Sequence, residues 1–152
     1  MPPNTIVLSG HPNLPQEMPA GEAGILPGML LQYGTGGNAG KLMKHASLTA
    51  TGVPMFAVEN TTPDRTVATV PIETPYQLNE TVKWIMSRPG DLVYALVPAG
   101  AAAIVAGAEL ASNADGTLKV ASTVGATTVA LAAEALNNSG GSTTARIRVR
   151  AI

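Results

Sequence analysis

Short apolar runs, separated by turns rich in glycine, proline and asparagine, recur along the 152-residue chain. Runs of this length are too short for typical helices but suit strands. Short strands with turn signals about every eight to twelve residues are typical of small all-β domains. We therefore predict a mainly β fold, a small β-barrel or β-sandwich, with at most one short helix.

Three segments give the clearest strand patterns. Residues 81–86 alternate, with Val82, Trp84 and Met86 predicted on one face, and residues 92–97 form a continuous apolar run typical of a buried strand. Asp115-Gly116 predicts a hairpin turn. Two segments stay open between helix and strand: 41–50, and the alanine-rich 124–135.

An internal repeat relates two parts of the chain. Residues 98–110, PAGAAAIVAGAEL, resemble residues 19–31, PAGEAGILPGMLL. In both copies a glycine turn leads into an apolar run, a second glycine and the start of a strand. We interpret this as one supersecondary unit used twice, in 19–58 and 98–136, inside a single β-rich domain of residues 21–152.

The first twenty residues contain five prolines around the apolar run Thr5, Ile6, Val7 and Leu8. Proline removes backbone donors, so this segment is predicted to be an extended arm outside the central sheet. Its apolar run suggests a binding role, and a frayed terminus is the alternative. The segment lacks a basic region followed by a long apolar run, so we expect no signal peptide. No apolar stretch is long enough to predict a membrane span.

Composition changes this interpretation in one respect. Charged residues make up 12% of the chain and aromatic residues 3%, against about 25% charged residues in typical soluble domains. A surface so poor in charge favours a protein that packs against copies of itself or a larger assembly, the alternative being a neutral-surfaced β protein. The net charge of -1 gives no reason to expect nucleic acid or an anionic membrane as a partner.

Candidate catalytic chemistry is sparse. Residues 34–39 match the glycine pattern of a dinucleotide site, but the segment after them would form only a short, poorly amphipathic helix and no βαβ pattern continues, so we interpret them as a loop. His11 and His45 are the candidate bases, and neither has metal-ligand spacing to another histidine or a carboxylate. The chain has no cysteine, which excludes a disulfide, a thiolate metal site and a cysteine nucleophile. Because the carboxylates are also scattered and no nucleophile motif occurs, we expect no catalytic residues, cofactor or metal site.

The strand predicted at 145–152 carries the most directional charge pattern. Arg146, Arg148 and Arg150 share one face, while Ile147, Val149 and Ile152 are predicted largely opposite. Three permanently charged guanidinium groups in a row repel one another unless acids or a partner surface neutralise them. They form either a docking surface or a solvated face that discourages edge pairing.

These segments together resemble the head-decoration, or capsid cement, proteins of tailed bacteriophages. The resemblance rests on PAGAAAIVAGAELASNADGTLKVAS, the following alanine-rich strand, a glycine loop and the closing ARIRVR strand. The short motifs GILPG and PGDLV also fit a small β-barrel of this kind. It implies a small β-tulip-like fold and a non-enzymatic protein on the outer surface of the virion. The implied partners are the major capsid protein and two further copies in a homotrimer.

Our leading hypothesis is therefore a capsid-stabilising decoration protein. The residues expected to contact the capsid or a neighbouring copy are Thr5, Ile6, Val7, Leu8, Arg146, Arg148 and Arg150. Many weak contacts repeated over a lattice would supply avidity without a tight single site. The alternatives are a tail or baseplate adaptor and, from a different class, a small hydrolase or ligand-binding barrel with a cleft near His45 or His11.

Overall fold

Eleven short strands form the regular structure of the computed structural model, which describes residues 3–10, 15–49, 53–61, 70–122 and 125–152. In chain order the strands are β1 (Val7–Ser9), β2 (Gln16–Pro19), β3 (Leu30–Tyr33), β4 (Leu42–Lys44), β5 (Met55–Ala57), β6 (Thr81–Met86), β7 (Leu92–Val97), β8 (Glu109–Ser112), β9 (Leu118–Val120), β10 (Thr128–Ala132) and β11 (Ala145–Ala151). Helical structure in the described ranges is limited to 3-10 turns at Gly36–Asn38 and Pro71–Glu73. The mainly β prediction is confirmed.

The strands form two antiparallel sheets. One sheet has six strands in the order β1-β7-β11-β10-β8-β9, and the other has five in the order β2-β6-β5-β3-β4. Neither sheet closes into a barrel, so of the two predicted forms the fold is a small sandwich. Ala20, which follows β2, makes an isolated bridge to Leu42 of β4, and this contact curls the five-stranded sheet toward itself.

The two sheets share one topology. Taken in chain order, β2 to β6 correspond to β7 to β11, and both sets are arranged in the same lateral order. We call β2–β6 the first unit and β7–β11 the second unit; β1 is an additional strand on the edge of the second unit. Residues 59–97, placed between the repeats by sequence, supply β6 to the first unit and β7 to the second.

The repeated glycine turns have matching hydrogen bonds. In the first unit Met29 N–H donates to Leu26 O (3.1 Å), and Gly28, with φ of 87°, donates from its N–H to Ala57 O (2.8 Å). The second unit repeats both bonds: Ala108 N–H donates to Val105 O (3.1 Å), and Gly107 N–H to Ala132 O (2.8 Å). Gly107 has a φ of 83°, so both turns use the left-handed conformation that glycine adopts at least cost.

Two apolar clusters form the core. The larger one joins the inner side chains of the second unit, including Ile147 and Leu110, to one face of the first unit. The smaller one lies on the other face of the first unit, around Trp84 and Leu31. Strands β3, β5 and β6 therefore have both faces buried. This is why β3 and β5 begin with adjacent buried apolar residues, and why Ile85 in the otherwise alternating β6 is apolar as well.

The opposite faces predicted for Trp84 and Ile85 in β6 are observed, and both faces are buried. Val82 and Trp84 face the smaller cluster as expected, but Ile85 is also buried, in the larger cluster, and Met86 is exposed. The two segments that the sequence left between helix and strand each contain a strand: residues 42–44 form β4, and Thr128–Ala132 of the alanine-rich segment form β10. Pairing with β8 on one side and β11 on the other outweighs the helical propensity of alanine at β10.

Backbone hydrogen bonds connect the two units. Leu30 N–H donates to Gly116 O (2.8 Å), which attaches β3 to the β8–β9 hairpin at the predicted Asp115-Gly116 turn. Leu96 N–H of β7 donates to Gly28 O (3.3 Å), so the first unit's glycine turn lies on the edge of the second unit. These bonds and the shared cluster make the two units one packed body.

Candidate interaction surfaces

The arginine strand β11 lies inside the six-stranded sheet, between β7 and β10. Ile147, Val149 and Ala151 are buried, while the arginine side chains point to the opposite face. The predicted arginine face is therefore observed. Ile152, expected opposite the arginines, is exposed, because the register gives its inward position to Ala151.

Arg146 binds its own chain. Its Nη1 donates to Pro27 O (2.8 Å), its Nη2 donates to Ile72 O, and its guanidinium carbon lies 5.8 Å from the centre of the Tyr94 ring. Burial lowers the pKa of Arg146 from its ordinary value. The guanidinium thus holds the first unit's glycine turn and the Pro71–Glu73 turn against the second unit, and it is not an open docking group.

Arg148 and Arg150 remain at the surface. Arg148 forms an ion pair with Glu134 (Nη1 to Oε2, 3.6 Å), and its backbone N–H donates to Glu134 Oε1 (2.9 Å). Arg150 Nη1 donates to Gly90 O (2.8 Å). Arg146 bonds two backbone carbonyls, Arg148 has a carboxylate partner, and Arg150 bonds one carbonyl. Only Arg148 and Arg150 offer charge to a partner on this face.

Replacing Arg146 with methionine should lower the free energy of unfolding by about 2 kcal/mol, because two carbonyl groups lose their donor. Arg148→Met is the matched control, and it should cost less than about 1 kcal/mol, as expected for an exposed ion pair. Urea titrations followed by Trp84 fluorescence would measure both. Equal losses for the two variants would contradict the role given to Arg146.

The apolar run of the arm is part of the fold. Ile6 is fully buried in the larger cluster; its N–H donates to Glu59 Oε1 (2.5 Å), and its carbonyl accepts from Tyr94 N–H (2.7 Å). Val7 and Leu8 are half-buried, and Val7 begins β1 beside β7. Thr5 is exposed. The side chain of Ile6 is therefore occupied by the chain's own core, contrary to its expected use as a contact with capsid or neighbour.

The second half of the arm also joins a sheet. Gln16–Pro19 forms β2, an edge strand that pairs with β6. Both arm strands lie at sheet edges, where proline is tolerated because one side of the strand needs no ladder bond. His11 lies outside the described residues.

An apolar groove crosses the first unit where β3, β5 and β6 end. Its volume is about 290 Å³, and the exposed apolar residues on its rim are Tyr33, Val53 and Met86. The Tyr33 ring meets buried Trp84 edge to face, with centroids 5.8 Å apart. We call Tyr33, Val53 and Met86 the apolar rim. Sequence analysis missed it, because its members come from three segments and no local pattern unites them.

His45 lies at the base of this groove and joins the two units. Its Nδ1 is 2.8 Å from Ser112 Oγ on β8, its N–H donates to Leu30 O, and its carbonyl accepts from Gly116 N–H. Ser112 Oγ also accepts the N–H of Ala114 (3.1 Å). These contacts assign His45 to the seam between the units; the described residues bring no carboxylate to this pair within hydrogen-bonding distance.

Burial lowers the pKa of His45 from its ordinary value of 6.5. The unfolded chain then binds a proton more readily than the folded one, so stability should be constant above neutral pH and fall as pH drops below about 6.5. Urea titrations at pH 7.5 and 5.5 would show this. His45→Gln should remove part of the difference in the free energy of unfolding between the two pH values; an equal difference in the wild type and in His45→Gln would contradict this role of His45.

Other candidate sites have simple structural explanations. The glycine pattern at 34–39 forms a three-residue 3-10 turn between β3 and β4, without the long helix that a dinucleotide site requires. No cluster of three possible metal ligands occurs among the described residues. The described ranges also contain no helix long and apolar enough to cross a membrane.

Two sequence comparisons were informative only by their absence of matches. Neither protein-family models nor curated protein sequences give a match to this chain. The function proposed below therefore depends on the chain's own surfaces and on the resemblance described above.

Proposed function

We propose that this chain is a virion structural protein that decorates and stabilises an icosahedral phage head by binding the outside of its major capsid protein lattice, as a homotrimer. The observation that carries the proposal is the apolar rim, exposed on a surface of unusually low charge. Val53 is 54% exposed and Tyr33 50% exposed, side by side along one groove. Exposed apolar groups that lie together indicate a contact surface.

The resemblance supports the same function. The segments that carry it build the second unit, from the turn after β7 through β8 and β9 to the closing strand β11. Two of the described surfaces are candidates for the capsid contact: the apolar rim on the first unit, and Arg148 with Arg150 on the second. We assign the apolar rim to the capsid contact, and the two arginines add charge that would make binding depend on salt.

The test mixes purified chain with expanded, undecorated heads, including the head encoded by the same phage genome. The pellet is then imaged by cryo-electron microscopy at increasing salt. We expect saturable density on the outer surface at positions of local threefold symmetry. Absence of binding to the cognate head would overturn the proposal. A ring of more than three copies with no affinity for heads would favour the tail or baseplate adaptor.

Two variants show which surface is used. Val53→Asp places a charge on the apolar rim and should abolish saturable binding, because the carboxylate would be desolvated in the contact. Replacing Arg148 and Arg150 together with glutamine should weaken binding at low salt and reduce its salt dependence. If the double variant abolishes binding and Val53→Asp does not, the capsid contact lies on the arginine face.

A further inference from the structure

The two equivalent glycine turns differ sharply in burial. Pro27 and Gly28 of the first turn are buried, whereas Ala106 and Gly107 of the second are exposed, although their hydrogen bonds within the units match. Val105 beside them is 67% exposed, the largest value among the exposed large apolar residues of the described chain. A side chain added to Gly107 would meet no described atom within 4 Å.

The first turn is buried because it docks on the second unit. Gly28 O accepts from Leu96 N–H of β7, and Pro27 O accepts from Arg146 of β11 (2.8 Å). Leu96 and Arg146 are directly paired across β7 and β11. The contact therefore has three parts: a glycine turn, a β7 N–H that points away from β11, and a cation on β11.

The first unit carries the equivalent receiving surface. Glu17 and Lys83 are paired across β2 and β6 as Leu96 and Arg146 are paired across β7 and β11. By the same register, Glu17 N–H points away from β6. On that outer side β4 reaches only the end of β2, through the Ala20–Leu42 bridge, and among the described residues no strand pairs with Gln16–Pro19 there. Lys83 Nζ contacts Thr61 Oγ1 (2.8 Å) at the exposed surface and supplies the cation.

The docked turn and the exposed turn exclude a twofold relation between the units. Under twofold symmetry the second turn would lie on the first unit as the first lies on the second. Instead, the units are related head to tail: the second unit keeps an unoccupied docking turn, and the first unit keeps an unoccupied receiving edge. Heterologous contacts of this kind extend from molecule to molecule and close into a ring when the rotation permits.

We propose that a second copy of this chain occupies the receiving edge: the Val105–Ala106–Gly107 turn of one copy docks on β2 and β6 of the next. Gly107 O accepts from Glu17 N–H of the neighbour, and Ala106 O accepts from Lys83 of the neighbour. The contact repeats between molecules the one that Gly28 and Pro27 make within the chain. Three copies would then place six similar units around one axis; this copy number rests on the proposed function.

Sedimentation velocity of the full chain without capsid tests the contact. We expect a trimer for the wild type and a monomer for Val105→Asp and for Lys83→Glu; Val105 is exposed, Lys83 is half-buried, and neither belongs to an apolar cluster of the core. Val53→Asp is the matched control, since it introduces the same charge at an exposed valine of the apolar rim, and it should remain trimeric. Folding of every variant is checked by Trp84 fluorescence.

A cysteine pair locates the contact directly, because the natural chain has no cysteine. A chain carrying both Ala106→Cys and Lys83→Cys should form disulfides between copies on oxidation, giving a ladder that ends at three chains. Each single variant alone should not form that ladder. A wild type that stays monomeric at high concentration, or a trimer that Val105→Asp leaves intact, would overturn the proposal.

The same variants separate this inference from the proposed function. If the Val53→Asp variant is trimeric but fails to bind heads, the result supports both the turn contact and the decoration function. A wild type that binds heads but remains monomeric in solution and forms no cross-links on the head overturns the turn contact alone. A cross-linked trimer that binds no head overturns the decoration role and leaves the turn contact standing.

Discussion

Gly28→Ala should lower the free energy of unfolding by about 3–4 kcal/mol. A left-handed φ of 87° costs a residue with a Cβ about 1–2 kcal/mol. The added carbon would also lie 2.6 Å from Tyr94 O and 2.8 Å from Arg146 Nη1. The turn would have to move off β7, and the bonds to Leu96 and Arg146 would weaken, which adds about 2 kcal/mol.

Gly107→Ala provides the internal control for that result. Its φ of 83° is nearly the same, but the new side chain meets open space. The conformational cost alone, about 1–2 kcal/mol, should remain. Urea unfolding at low protein concentration, where copies do not associate, would compare the two variants. Equal costs would mean that docking of the first turn contributes nothing to stability.

Ile6→Ala should have an effect of similar size, a loss of about 2–4 kcal/mol, because Ile6 is fully buried in the larger cluster. Thr5→Ala, one residue earlier and exposed, should change stability by less than about 0.5 kcal/mol. Urea titrations with Trp84 fluorescence as the probe would measure both changes. A stable Ile6→Ala variant would restore the arm to the role of a detachable contact.

The fluorescence of the natural Trp84 can follow unfolding in all these experiments. Trp84 is the single tryptophan, and it is 1% exposed in the smaller cluster. Its emission should shift to the red when the first unit unfolds. Because β6 lies between both clusters, this probe reports the loss of either one.

Sequence patterns predicted the strands well where local chemistry decides them. The bounds 81–86 and 92–97 match β6 and β7, since alternation in one and an unbroken apolar run in the other are local signals. The hairpin at Asp115-Gly116 follows from the turn preference of that pair. Burial on both faces of the first unit could not be predicted, because it depends on how the second unit packs against it.

The candidate surfaces were less accessible to sequence reasoning. The arginine face was visible from alternation, but the partners of Arg146, Pro27 and Ile72, are far away in the chain. Ile6 looked available because prolines and polar residues surround its short apolar run, while its binding position is formed by β7, far away in the chain. Alternation in the sequence predicts which residues share a face of a strand. Which residues cover that face depends on distant segments and is known only from the folded structure.

The pairing of β1 with β7 has a consequence for synthesis. Residues 7–9 leave the ribosome long before residues 92–97, the strand against which they finally lie. Until then Ile6 and the apolar face of the first unit, with Phe56 and Ile85, have no covering layer. Exposed apolar surface of this kind invites association between nascent chains. Residues 6–9 therefore reach their native positions only after β7 has been made.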